Sequence, residues 1–199
     1  MPPQYQNLVA KKNFFNHLDR DCSLYVLGFC LASNDIVEQR TLIDNTEPEE
    51  SSYHFAVSLS ILREVAKIIG PIETCALKTR FSQKTSDALQ ALKRDLQPDD
   101  SLTHGTLRHI RNNTSHYNFT EAESSKIDSI LTELKNAPLL RIRANSDDHS
   151  ALGHRYSFAD IFRNKLVNAY LTKEKNALIS AAACNVIQFT ESLLVDLLS

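Results

Sequence analysis

The chain has 199 residues, of which 42% are hydrophobic and 23% charged, an ordinary composition for one soluble globular domain. Its four glycines and six prolines are too few for a turn-rich β fold, so the composition favours long helices. The formal net charge of −2 favours neither a nucleic-acid partner nor any other class of partner.

The first third of the chain is predicted to contain an N-terminal helical extension, an acidic linker and the first helix of a bundle. Residues 22–33 form a short apolar helix that ends at Ser33-Asn34-Asp35, and residues 44–50 form the linker. Ser51 or Ser52 caps the next helix, which runs to a stop at Gly70-Pro71. The buried stripe predicted for this helix comprises Phe55, Leu59, Leu62, Ala66 and Ile69.

The remaining elements are also predicted to be helical. A helix over 84–97 ends at Pro98. A second helix follows, with Leu102, Leu107 and Ile110 on its apolar face. It is interrupted at residues 112–115, whose side chains compete for backbone hydrogen bonds. A capping box at Thr120 and Glu123 begins a helix that runs through Leu134. Helices over 158–170 and 174–198 follow an irregular region, and the last is expected to bury Ile179, Ala182, Val186, Phe189, Leu193 and Leu197.

These elements predict an all-α fold, an antiparallel helical bundle with an irregular insertion around residues 139–157. The whole chain, 1–199, is expected to be a single domain. Residues 1–50 form its N-terminal helical extension and acidic linker, and residues 51–199 form the bundle core.

The cysteines and the N-terminus favour a cytoplasmic protein that does not enter a membrane. The four cysteines have neither CxxC nor zinc-finger spacing, so we interpret them as reduced thiols and expect no metal and no cofactor. The N-terminus lacks the apolar run of a signal peptide, and the apolar stretch at 24–32 is too short to span a bilayer.

Charge is distributed unevenly along the near-neutral chain. Residues 63–116 carry a net charge of +3 and residues 135–175 a net charge of +4, whereas residues 1–62 carry −4. Two basic segments that meet in space would form a phosphate-attracting surface, although ordinary solvated helix faces give the same pattern.

One short segment combines residues that can cleave a phosphodiester. Arg111, Asn112 and His116 lie at the end of a predicted helix, followed by Tyr117-Asn118-Phe119. Here the sequence resembles the HEPN domains (higher eukaryotes and prokaryotes nucleotide-binding), whose ribonuclease members carry Arg, a polar residue, a few further residues and His. Chance placement gives about 0.03 occurrences of Arg-Asn-x3-His in a chain of this composition. Arg143 and His149 fit the loosest form of the motif, but they lie in a polar loop and we treat that match as noise.

Arg111 and His116 also have the properties that RNA cleavage needs, independently of the family resemblance. Metal-independent RNA cleavage needs a group that moves a proton near neutral pH, which is the property of His116. It also needs a fixed cation on the phosphate, and the guanidinium of Arg111 is always charged and donates two hydrogen bonds. On a regular helix the two side chains would be about 140° apart, so they converge only if residues 112–115 distort the helix or if two copies share one site.

The resemblance implies a metal-independent endoribonuclease acting on RNA, a homodimer with a composite active site, and products with a 2′,3′-cyclic phosphate and a 5′-hydroxyl. It implies a catalytic role for Asn112 beside Arg111 and His116, and a toxin or phage-defence role in which an antitoxin or regulatory protein is a further partner. Toxin members paired with a nucleotidyltransferase often have Tyr two residues after the His, where this chain has Asn118. Secondary substrate contacts are expected from His104, Arg108 and Tyr117.

Three other interpretations remain open from the sequence. Arg111 and His116 are also compatible with surface positions at a helix end, where a histidine interacts favourably with the helix dipole. The same fold would then serve as a non-catalytic RNA-binding or protein-interaction module, or as a helical regulator that binds another protein. Arg63 and Glu64 stand where family members sometimes add a polar group to the site, but a surface ion pair is the favoured interpretation. Tyr53 and His54 are expected to be packing and surface residues.

Overall fold

The computed structural model describes residues 18–45, 48–97, 107, 124–134, 141–142, 154–155 and 157–198. These residues form an all-α helical bundle, as the sequence predicts. Its α-helices are, in chain order, α1 (Arg20–Asn45), α2 (Pro48–Thr74), α3 (Gln83–Leu96), α4 (Ser124–Leu134), α5 (Ser157–Tyr170) and α6 (Lys173–Leu198).

Two smaller elements complete the described structure. A 3-10 helix, Ala76–Arg80, connects α2 to α3. Within the region predicted as irregular, strand β1 (Arg141–Ile142) pairs with strand β2 (His154–Arg155) in antiparallel orientation. Arg141 lies opposite Arg155, and Ile142 lies opposite His154.

Helix α2 occupies the centre of the bundle, because it contacts α1, α3, α5 and α6. Helix α1 packs against α2 and α6, α3 packs against α6, and α4 packs against α5. The α1–α2 pair is antiparallel, since Gly28 near the start of α1 lies beside Ile68 near the end of α2. A Cβ at position 28 would lie 3.2 Å from Ile68 Cδ1, so the glycine allows this close approach.

The periodic apolar residues of the two longest core helices pack as predicted. In α2, Leu59, Leu62 and Ile69 are fully buried, and Phe55 and Ala66 pack half-buried against them. In α6, every residue predicted to face inward is buried: Ile179, Ala182, Val186, Phe189, Leu193 and Leu197. By length and composition α6 is also the one helix in the described part of the chain that could cross a membrane, and its apolar character suits the core helix of a bundle.

Several predicted helix boundaries are wrong. Helix α1 does not end at Ser33-Asn34-Asp35 but continues to Asn45, because Ile36 is buried in the core one turn further on. The linker predicted over 44–50 is largely helical, since α1 includes residues 44–45 and α2 begins at Pro48. Proline suits the first turn of a helix because the N–H that it lacks would have no helical partner there.

The stop predicted at Gly70-Pro71 is also wrong, because α2 continues to Thr74 with Pro71 inside it. The hydroxyl of Thr74 donates to the carbonyl oxygens of Gly70 and Pro71, at 3.3 and 3.0 Å. Two further helices begin one residue earlier than predicted, α5 at Ser157 and α6 at Lys173. In α4, Leu131 is 51% exposed, although its spacing with the buried Ile130 and with Ile127 predicts an inward position.

Three aromatic rings meet where α1, the connection into α3 and α6 come together. The ring of Phe189 in α6 lies edge-on to Phe29 of α1, with centroids 4.7 Å apart, and to Phe81, with centroids 6.2 Å apart. Phe29 and Phe189 are fully buried. Edge-to-face pairs of this kind add to the stabilisation from burial alone.

We expect Phe189→Ala to lower the free energy of unfolding by about 3–5 kcal/mol, since it removes a buried ring and leaves a cavity. Chemical denaturation monitored by circular dichroism measures this change. Leu178→Ala, at a half-exposed position of the same helix, is the control and should change stability by less than about 0.5 kcal/mol. Equal effects from the two variants would contradict a core centred on Phe189.

A carboxylate near the end of α6 fixes the start of α3. Asp196 Oδ2 accepts a hydrogen bond from the backbone N–H of Ser82 at 2.6 Å, and Ser82 is the N-cap residue of α3. Burial raises the pKa of Asp196, but hydrogen bonds from Thr85 and Ser82 outweigh it and hold this pKa below its ordinary value. The stabilisation is therefore present above the unfolded-state pKa of about 3.9 and is lost as the pH falls through and below it.

We expect Asp196→Asn to lower the free energy of unfolding by about 1 kcal/mol at pH 7, because a charged acceptor becomes neutral. The difference from the wild type should shrink as the pH is lowered from 7 to 3, which thermal melts at several pH values will show. Asp128→Asn, at an exposed position of α4, is the control with no expected effect. A difference that stays constant with pH would argue against ionisation of Asp196 as the cause.

Candidate functional site

The predicted catalytic segment lies outside the residues that the structure describes. This applies to Arg111, Asn112 and His116, and equally to the predicted substrate contacts His104, Arg108 and Tyr117. Their roles stay predictions. The described residues on either side of the segment give its surroundings.

Leu107 fixes one point of this segment in the bundle. Its side chain is fully buried and belongs to the main hydrophobic core, as its place on the predicted apolar face requires. It lies four residues, or about one helical turn, before Arg111.

The end of α3 lies beside the last turns of α2. Helix α3 ends at Leu96, and the side-chain Nε2 of the next residue, Gln97, lies 3.9 Å from the position of a Cβ on Gly70. Gly70 and Arg63 are seven residues apart and therefore share one side of α2. The side of α2 that carries Arg63 and Gly70 thus meets the end of α3 at Gly70.

Arg63 is a residue whose role the sequence undervalued. Its side chain is half-buried, and its buried Nε has no hydrogen-bond partner within the described parts of the chain. A buried donor without a partner costs free energy, and such groups call for an explanation beyond packing. A phosphate group or another anion is the kind of partner that a guanidinium takes.

The surface ion pair expected between Arg63 and Glu64 is not the one that forms. Glu64 pairs with Lys67, with 2.6 Å between Oε2 and Nζ, and both side chains are more than half exposed. Adjacent residues on a helix point about 100° apart, whereas residues three apart are neighbours on its surface. The spacing of Glu64 and Lys67 therefore explains which cation the carboxylate takes.

A cation–aromatic group joins α1, α2 and α5 away from Arg63. The guanidinium carbon of Arg163 lies 5.2 Å from the ring centroid of Tyr53, and the rings of Tyr53 and His54 meet edge-on at 5.3 Å. His54 Nδ1 lies 2.9 Å from Gln39 Oε1 of α1. Tyr53 is 48% exposed, so it and His54 have the packing and surface roles that the sequence indicated.

The described residues contain no cluster suited to a metal ion, and their one fully buried thiol, Cys22, is not activated. Within the described ranges, no group of three or more His, Cys, Asp or Glu side chains is placed to hold a metal ion. Burial, together with hydrogen bonds to Asp19 and Cys75, raises the pKa of the Cys22 thiol to about 12. Cys22 is therefore protonated at neutral pH and is a poor nucleophile.

Comparison with known proteins found no matching family model, no matching curated protein and no matching solved structure.

We expect Arg63→Met to leave the free energy of unfolding within about 1 kcal/mol of the wild type, because methionine keeps the aliphatic packing and removes a costly buried donor. Lys93→Met is the matched control. The ammonium of Lys93 pairs with Glu73 at 2.7 Å, and the Glu73 side chain is only 19% exposed, so removing this cation should cost about 1 kcal/mol. A larger loss from Arg63→Met than from Lys93→Met in urea denaturation would show that the guanidinium has a structural role.

Proposed function

We propose that this protein is a metal-independent endoribonuclease whose catalytic residues are Arg111, Asn112 and His116. The observation that carries the proposal is the Arg-Asn-x3-His sequence at the end of a predicted helix, with its resemblance to the ribonuclease members of the HEPN family. The buried Leu107 supports it, because it ties the chain to the bundle about one turn before Arg111.

The reaction is a transesterification at phosphorus. The imidazole of His116 takes the proton from a ribose 2′-hydroxyl, and the 2′-oxygen attacks the adjacent phosphorus. The bond from phosphorus to the 5′-oxygen breaks, and a protonated imidazole returns a proton to that leaving oxygen. The products are a 2′,3′-cyclic phosphate and a 5′-hydroxyl, and neither a metal nor another cofactor takes part.

Arg111 and Asn112 act on the phosphate. The guanidinium donates to the nonbridging oxygens and stabilises the charge that develops on them in the transition state. The Asn112 amide orients either the phosphate or the imidazole. Arg111 and His116 meet on one phosphate through a distorted helix at residues 112–115, or through a homodimer in which each copy supplies one of the two groups.

Arg63 and the substrate contacts predicted from the sequence extend the RNA-binding surface. Arg63 lies on the side of α2 that faces the end of α3, and its buried Nε is suited to a phosphate. His104, Arg108 and Tyr117 contribute charge and an aromatic face beyond the cleaved bond. The basic residues of 63–116 and 135–175 then supply the salt-dependent part of RNA affinity.

The biological setting that suits this activity is the cytoplasm, where RNA is accessible. The four cysteines are free, as expected of a protein in a reducing compartment. A toxin or phage-defence effector is the role that the resemblance favours, with an antitoxin or regulatory protein as a partner that restrains the nuclease.

We expect purified protein to cleave total RNA in the presence of EDTA, and His116→Ala to reduce the rate by about 100- to 10,000-fold, the range for loss of a general acid–base group. Gel analysis of the RNA measures the rate, and phosphatase-resistant 3′ ends that become sensitive after acid treatment identify the cyclic phosphate. His149→Ala removes the histidine of the weaker motif match and should leave the rate unchanged.

The outcomes separate the alternatives. If the wild-type protein binds RNA but leaves it intact, the protein is a non-catalytic RNA-binding module and not an enzyme. Cleavage that persists in His116→Ala would assign the activity to another residue or to a contaminant. If the wild-type protein neither cleaves nor binds RNA, a protein-interaction module or a helical regulator explains the fold better than a nuclease does.

A further inference from the structure

The outer face of α1 carries a regular apolar stripe that no described helix covers. Leu24, Leu27 and Leu31 are between 43% and 53% exposed. They lie on the side of the helix opposite its buried residues, which are Cys22, Val26, Phe29, Ala32 and Ile36. Alternate spacings of three and four residues continue the stripe to both sides, through Arg20, Asn34 and Glu38. This is the a/d spacing by which one helix packs along another.

On the side of α2, a groove extends the apolar face of α1. It has a volume of about 490 Å³ and lies between α1 and α2, with Leu31, Val57, Ile61 and Ile68 among its lining residues. Leu31 belongs to both the stripe and the groove, so the two form one continuous apolar surface. Asp35, Glu64 and Lys67 surround it with charge.

We propose that this face, formed by the α1 stripe and the adjoining groove, binds a second copy of the chain with the two α1 helices antiparallel. The order of residues along the stripe is self-complementary when it is reversed. Leu27 then lies opposite Leu31 of the second copy, Leu24 lies opposite Asn34, and Arg20 lies opposite Glu38. A twofold axis that passes between the two α1 helices, beside residue 29 at the middle of the stripe, repeats each of these contacts.

Charge selects the antiparallel orientation. Arg20 and Glu38 are exposed, and neither has an ion-pair partner in the described parts of the chain. In the antiparallel arrangement each end of the stripe gains an opposite charge from the second copy. A parallel arrangement would place arginine against arginine and glutamate against glutamate, which is unfavourable.

The size of the face sets the strength of the contact. From Arg20 to Glu38 the stripe is about 27 Å long, and with α2 the face is about 20 Å wide, or on the order of 500 Å² in each copy. This is below the roughly 800 Å² of a standard stable interface. An interface of this size is typical of weak association, so we expect the dimer to dissociate on dilution. Its formation does not depend on the proposed ribonuclease activity.

Sedimentation velocity of the full-length protein from about 5 to 200 μM tests the proposal. We expect the average mass to rise from 22.5 kDa towards twice that value as the concentration increases. Leu27→Glu should abolish the rise, while Leu178→Glu, at a half-exposed leucine of α6, should leave it intact. Circular dichroism confirms that both variants fold. A wild type that stays monomeric at 200 μM, or a Leu27→Glu dimer as strong as the wild type, overturns the proposal.

Charge reversal tests the orientation separately. Arg20→Glu and Glu38→Arg should each weaken the dimer about tenfold, because each places like charges at both ends of the seam. The double variant should restore the wild-type dissociation constant, since it restores both opposite-charge contacts. A double variant that is weaker than either single variant rejects the antiparallel pairing. The RNA-cleavage assay on Leu27→Glu reports on the nuclease independently.

Discussion

The burial of Phe189 is the contact on which the rest of the bundle depends. Its ring meets Phe29 from the first helix and Phe81 from the connection into α3, so one side chain joins three distant parts of the chain. The next residue strengthens this junction, because the Thr190 hydroxyl lies 2.8 Å from the carbonyl oxygen of Val186 and 3.3 Å from that of Phe29. The hydroxyl thus satisfies its hydrogen bonding within a buried helix contact.

This junction also determines which surfaces remain open. Because α6 and α2 take the inner sides of α1, the outer side of α1 is left with three leucines that the described fold does not cover. The same junction holds α3 against α6. This packing lets the carboxylate of Asp196 accept a hydrogen bond from the backbone N–H of Ser82. The start of α3 is therefore set by contacts with the last turns of α6.

The sequence predicted the interiors of the helices better than their ends. The buried positions of α2 and α6 could be read from spacing alone, because burial repeats with the helical period. The ends depend on competition between local signals and distant packing: Ser33-Asn34-Asp35 favours a stop, but the burial of Ile36 carries α1 onward. Likewise, the burial of Ile72 beyond Pro71 keeps α2 helical past a strong local stop. As for the candidate site, the Glu64–Lys67 pair follows from spacing, but nothing in the sequence indicates that Arg63 Nε is buried.

The two surfaces proposed for this chain constrain each other through symmetry. A contact between two α1 helices uses one twofold axis, and a catalytic site shared between two motifs uses another unless both lie on the same axis. Two separate isologous contacts produce a closed tetramer or an open chain of copies, not a dimer. If the protein forms only the α1 dimer and the two motifs lie away from its axis, the proposed nuclease requires Arg111 and His116 of a single copy to act on one phosphate. Under the proposed function, the burial of Leu107 in the core four residues before Arg111 would then limit which phosphate the motif can reach.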